Sequence, residues 1–120
     1  MLAGALAGFV GVAFGAFGAH GLRGRLSPEM LAVFETGVRY QMYHALALML
    51  TAALSVMPAS GRMGGRAVAA AGWLFVAGIV LFSGSLYLLA VTGITGLGAI
   101  TPIGGVALLL GWACLAFATL

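Results

Sequence analysis

The 120-residue sequence contains no lysine and no aspartate, and its five arginines and two glutamates amount to 6% of the chain. Soluble domains carry about a quarter charged residues, so a water-covered globular surface is excluded. The formal charge of +3 reflects a shortage of acids, and so few arginines do not make a nucleic-acid footprint. The single cysteine, Cys114, lies in an apolar run, which rules out an intrachain disulfide and a thiolate metal cluster. Two histidines, His20 and His44, fall short of the three protein ligands of a catalytic zinc unless a glutamate joins them. Axial ligation of a haem is the other use such a pair allows, but neither metal nor cofactor is expected. No carboxylate stands in the middle of an apolar run, so the proton-coupling acid of a small transporter is missing. A serine nucleophile elbow, a phosphate loop and a metalloprotease helix motif are also missing, and no catalytic residue is identified.

Apolar residues are what the chain has in excess. They make up 63% of it, the mean hydropathy is +1.21, and the expected partner is the lipid bilayer. The stretch from Met1 to Ala19 is uncharged and repeats Gly4, Gly8, Gly11, Gly15 and Gly18 at alternating spacings of four and three. At 3.6 residues per turn these glycines fall within an arc of about 80°. Leu2, Leu6, Phe9, Val10, Ala13 and Phe17 fall on the opposite side. Glycine is a poor helix former in water, whereas in lipid small residues let helices approach closely. Residues 1–19 therefore read as a membrane-spanning helix with a buried glycine face. The run lacks a positive n-region and is longer than an ordinary signal h-region, so it is expected to remain in the chain.

After Arg23 and Arg25, Ser27, Pro28 and Glu29 supply a cap, a first-turn proline and an acid suited to the positive end of a helix dipole. Residues 28–40 are amphipathic, as in a helix lying at the interface, and lead into a second apolar span at 38–57. One continuous helix or a bend at Gly37 both suit this sequence. Pro58, Ser60, Gly61, Arg62, Gly64, Gly65 and Arg66 predict a turn. A third span is expected at 67–91, with small residues at Ala70, Ala71, Ala77, Gly78, Gly84 and Ser85 forming a surface for the glycine face of the first helix. A charge-free loop at 92–101 precedes a fourth span at 102–120, opened by Thr101 and Pro102, whose own stripe is Gly104, Ala107, Gly111, Cys114 and Ala118. The fold class is an all-α, integral membrane four-helix antiparallel bundle forming a single domain, residues 1–120. Both termini lie on one side (side B), with Arg62 and Arg66. Arg23, Arg25 and Arg39 lie on the other (side A), so the positive-inside count is close to a tie.

Most polar groups belong to side A. His20 ends the first helix, and His44 and Ser85 should both lie one to two turns below the surface, where they can meet. Tyr40 shares a face with His44, while Glu35 and Arg39 stand four apart in the favourable order. With Ser83 and Tyr87 these residues are the candidate ligand-binding set. Each also has a structural reading: interhelical hydrogen bonds for His44, Ser83 and Ser85, a surface pair for Glu35 and Arg39, and an interfacial aromatic belt for Tyr40, Tyr43 and Tyr87. Trp112 falls near mid-helix and is expected to pack on a small stripe.

The runs Gly15 to Leu22 (GAFGAHGL), Thr36 to Leu48 (TGVRYQMYHALAL), Phe82 to Tyr87 (FSGSLY) and Ile100 to Gly105 (ITPIGG), followed by Gly111 and Trp112, resemble the domain of unknown function 423 family. These are small bacterial inner-membrane proteins related to eukaryotic transmembrane protein 256. The resemblance implies a four-helix, multi-pass inner-membrane protein and brings no catalytic residue. Members often end in a short basic tail after the fourth helix, which implies cytoplasmic termini, and this chain has no such tail. The expected role is a non-enzymatic structural or accessory element, as a homo-oligomer or as the small subunit of a larger membrane complex. The alternative is a small-molecule or ion binder or transporter that uses the cluster around His44.

Overall fold

The computed structural model describes residues 1–57 and 61–118. It is all-helical, an antiparallel membrane bundle with extents of 52 × 26 × 16 Å. The first helix runs over Leu2–Phe17 and continues through a π turn at Gly18–Leu22. The second runs unbroken over Pro28–Ser55. The third starts at Gly61–Gly78, passes through a π turn at Ile79–Ser83 and continues over Gly84–Thr92. A short 3-10 turn at Thr95–Ala99 leads to the fourth helix, Thr101–Ala118. Three of these are long and apolar enough to cross a membrane: the stretches Leu2–Leu22, Gly64–Thr92 and Thr95–Ala118.

Local chemistry explains the ends. Ser27 Oγ accepts from the Met30 N–H at 3.2 Å, and Pro28 fills the first helical position, where its missing N–H is no loss. The third helix stops at Gly93, in the left-handed region at φ 70°, and the Gly93 N–H donates to the Leu89 carbonyl. Glycine meets no Cβ penalty in that conformation. Gly24, at φ 89°, turns the chain between the first two helices in the same way.

The glycine face of the first helix packs on the second helix, not on the third as the small-residue stripes had suggested. A Cβ built at Gly4 would lie 3.0 Å from the Ala45 carbonyl oxygen and 3.1 Å from the Met49 nitrogen. Gly8 faces Ala45, Gly11 faces Met42 and Gln41, Gly15 faces Val38, and Gly18 faces the Phe34 ring. These pairs descend along one helix as they climb the other, so the two run antiparallel over their whole length. Met42, Val38 and Phe34 supply the bulk that fills a bare glycine groove.

Helix three instead pairs with helix four. Ala71, Phe75, Leu108 and Leu115 join Ala47 and Leu48 in the main core. A Cβ at Gly104 would collide with the Phe82 nitrogen and lie 2.7 Å from its Cα, one at Gly78 would collide with Leu108, and one at Gly111 would come 2.6 Å from the Phe75 ring. Gly84 departs from this pattern, since an added Cβ would meet nothing within 4 Å. Its place among the packing glycines is therefore corrected: it opens onto a groove.

One alternative left open is decided and one boundary is revised. Helix two does not bend at Gly37, which leaves room for the Tyr87 ring, 2.8 Å from where its Cβ would stand. The third helix begins at Gly61 rather than near 67, because its packing on helix four reaches Gly64, where an added Cβ would lie 3.4 Å from the Ala118 carbonyl. The rest of the expected turn, Pro58 to Ser60, lies outside the described residues, as do 119 and 120.

The close approach at Gly104 separates packing from helix propensity. Gly104→Ala should lower stability by about 1–3 kcal/mol, because its methyl group meets backbone that cannot rotate away. Gly84→Ala should be neutral or stabilising by up to about 1 kcal/mol. Unfolding in detergent measures both, and equal effects would contradict the assigned contact.

Candidate functional site

Helix two carries the polar residues that face the other helices. Gln41 is 4% exposed. Its Nε2 donates to the Ala7 carbonyl of helix one at 2.8 Å, and its Oε1 accepts from the Tyr87 hydroxyl of helix three at 2.8 Å. One side chain thus ties three helices. The Gly8 and Gly11 face lets Gln41 come this close to the first helix. The Tyr87 ring completes the join against Phe34 and Phe14, with centroids 4.8 and 4.9 Å away.

His44, one turn further on, points toward helix four. Its Nδ1 lies 2.7 Å from the Tyr40 carbonyl, and its Nε2 lies 3.2 Å from the Trp112 indole nitrogen. A carbonyl only accepts and an indole N–H only donates. The proton therefore sits on Nδ1, and Nε2 receives the Trp112 N–H. The ring also stacks on Tyr40 at 6.1 Å and leans on Phe75 at 5.6 Å. Both nitrogens are engaged, so coordinating a metal through Nε2 would first require breaking the bond to Trp112.

The candidate residues do not form one cluster. Ser85 meets the Thr101 hydroxyl at 2.8 Å and donates to the Phe82 carbonyl, joining the third helix to the start of the fourth instead of meeting His44. Thr101 is thus engaged with Ser85. Glu35 and Arg39 line a separate groove of about 280 Å³ beside Gly15 and Gly18, and Arg39 Nη2 reaches Thr36 Oγ1 at 3.3 Å. His20 is exposed in the first π turn. Ser83 is 1% exposed, and its hydroxyl is buried without a hydrogen-bond partner. Tyr40 and Tyr43 are exposed, whereas Tyr87 turns inward. Among the described residues no three of His, Cys, Asp and Glu converge on a point that could hold a metal.

Two residues absent from the candidate set are central to this arrangement. Gln41 is hidden in the polar run 39–44, and only its position on the face toward Gly8 and Gly11 marks it. Trp112 lies 68 residues from His44; its odd position at mid-span was the available signal.

The Gln41 links should be measurable. Gln41→Leu should cost about 1–2 kcal/mol, and Tyr87→Phe should add little to it, because the two share one bond. Thermal unfolding of both single variants and the double variant in detergent gives the coupling. Fully additive losses would contradict the shared bond.

The sequence comparisons agree with a membrane protein. Residues 14–105 match the family described as "Protein of unknown function (DUF423)". The chain is 53% identical over 112 residues to the UPF0382 membrane protein YwdK of Bacillus subtilis, covering 93% of this chain and 88% of that relative. It is 48% identical to the UPF0382 membrane protein SAB0533 of Staphylococcus aureus over 99% of this chain and 93% of the relative. SERP0230 of Staphylococcus epidermidis is also 48% identical, over 100% of this chain and 93% of the relative. No solved structure matches. With one family covering most of its length and relatives near half identity end to end, the chain belongs to the DUF423 family of membrane proteins.

Proposed function

We propose that this protein is a non-enzymatic accessory element of the bacterial inner membrane, working as a homo-oligomer or as the small subunit of a larger complex. The observation that carries this reading is the state of the first helix. It packs on the second helix along its glycine face and turns Leu2, Leu6, Phe9 and Val12 outward, with Phe9 73% exposed. An edge helix with a continuous bulky ridge offers a further helix a surface for van der Waals packing, the main source of association in lipid. The polar side chains that meet between helices are already used: Gln41 and Tyr87, His44 and Trp112, Ser85 and Thr101 hold helices together. This supports a structural role for His44 over a ligand-binding one.

The second helix crosses the membrane with the others in this reading. Its 28 residues span about 42 Å at 1.5 Å per residue, and it runs beside the first helix from Gly4 to Gly18. Four crossings put both termini on one side.

Native mass measurement of the protein extracted with its surrounding lipid tests the proposal. A mass above one chain, or a stoichiometric co-purifying subunit, is expected. Leu6→Trp should disrupt that assembly without lowering the unfolding temperature, whereas Gly11→Leu should disturb folding itself. A lone monomer with no partner would overturn the reading.

A further inference from the structure

The first and third helices both pack on the second, and on the side A half of the molecule they leave an apolar groove of about 630 Å³ between them. Phe14 and Phe17 form one wall, Val80 and Leu88 the other, and Phe34 and Tyr87 the floor. The volume lies within the range of about 300–1,000 Å³ typical of small-molecule sites. Polar atoms are nearly absent from its surface: Tyr87 spends its hydroxyl on Gln41 and Ser85 on Thr101. Water therefore has nothing to bond to inside it, and in a bilayer the available apolar filler is a hydrocarbon chain. Gly84 borders the groove with open space before it, so the absence of a side chain there preserves the volume and serves no helix contact.

The turn that follows the first helix, on side A, carries two arginines. Leu22 and Leu26 pack with Phe34 and Ala90, which folds the connecting turn over the ends of the second and third helices. Between those two anchors Arg23 and Arg25 stand exposed, in the turn that Leu22 and Leu26 hold against Phe34, a residue of the groove lining. Glu29, the nearest acid in sequence, occupies the first turn of the second helix, where the helix dipole favours it. An apolar slot beside a turn that carries two exposed arginines matches an amphiphile with an anionic head in shape and charge.

We propose that this groove binds an anionic phospholipid, one acyl chain lying between the first and third helices and the phosphate paired with Arg23 and Arg25. Arginine suits this task because its guanidinium fork meets phosphate oxygens in pairs. This inference is independent of oligomeric state, since it needs only one chain.

The test uses the purified full-length chain in detergent, with added phosphatidylglycerol or phosphatidylcholine of identical acyl chains. Native mass spectrometry reads bound lipid, and the unfolding temperature gives a second readout. Phosphatidylglycerol should be retained about tenfold more strongly, the order expected for two surface arginines on an anionic lipid. Arg23→Gln with Arg25→Gln should remove this preference and leave weak binding of both lipids. Gly84→Leu should fold, because its new side chain enters open space, and should lose both lipids together with the temperature rise that they produce. Equal retention of the two lipids by the unaltered chain would overturn the proposal. So would undiminished binding of phosphatidylglycerol by Gly84→Leu. If that variant fails to fold, Leu88→Trp fills the same groove from the same wall one turn further along the third helix, and the same outcomes decide.

Discussion

A polar group in hydrocarbon must be paired inside the protein, and that constraint organises this molecule around its second helix. An unsatisfied polar group there costs several kcal/mol, while each interhelical hydrogen bond returns only about 0.6–2 kcal/mol. Gln41 and His44 therefore act as obligations as much as attractions. The first, third and fourth helices must stand where Ala7, Tyr87 and Trp112 can meet them. Moving any one of these helices by a turn would leave a buried donor or acceptor without its partner. Ser83, buried without a partner, is where this rule is not met, and it sits at the end of the π turn that interrupts the third helix.

Close backbone approach supplies the remaining cohesion. Glycines at 4, 8, 11, 15 and 18 let the second helix sink into the first, and Gly104 lets the fourth helix rest on the backbone of residues 81–82. These contacts are short because lipid gives no hydrophobic drive between helices. Dispersion falls steeply with distance, so separation decides their value. The two π turns lie at ends of such contacts, one following the glycine stripe and one under Gly104. A widened turn re-aims the side chains that follow it, and after the second of these turns Gly84, Ser85, Tyr87 and Leu88 line the side A groove.

Much of this architecture was legible in the sequence, and what escaped has physical reasons. Charge scarcity, the Ser27-Pro28-Glu29 start and the glycine heptad each report a local requirement, so they identify the helices and the buried face of the first. A bare glycine face, however, accepts any bulky neighbour equally well. Only the joint fit of Phe34, Val38, Met42 and Ala45 chooses the second helix over the third. The pairing of His44 with Trp112 spans two helices, and nothing at either position announces the other. Spacing along one helix joins Tyr40 to His44, but only depth in the membrane suggests that Ser85 and His44 can meet. Side chains at one depth can still point to different neighbours, as Ser85 does toward Thr101. The π turns have no local signature in Gly18–Leu22 or Ile79–Ser83.

The account stands or falls on which helix the glycine stripe meets. Cβ atoms at positions 8 and 45 lie 3.9 Å apart, inside the usual range of about 3.5–4.5 Å for a disulfide. In a Cys114→Ser background, Gly8→Cys with Ala45→Cys should cross-link readily in native membranes under mild oxidation. Gly8→Cys with Gly78→Cys, which would join the first helix to the third, should not. Efficient cross-linking of the second pair with none of the first would contradict the arrangement of helices described above.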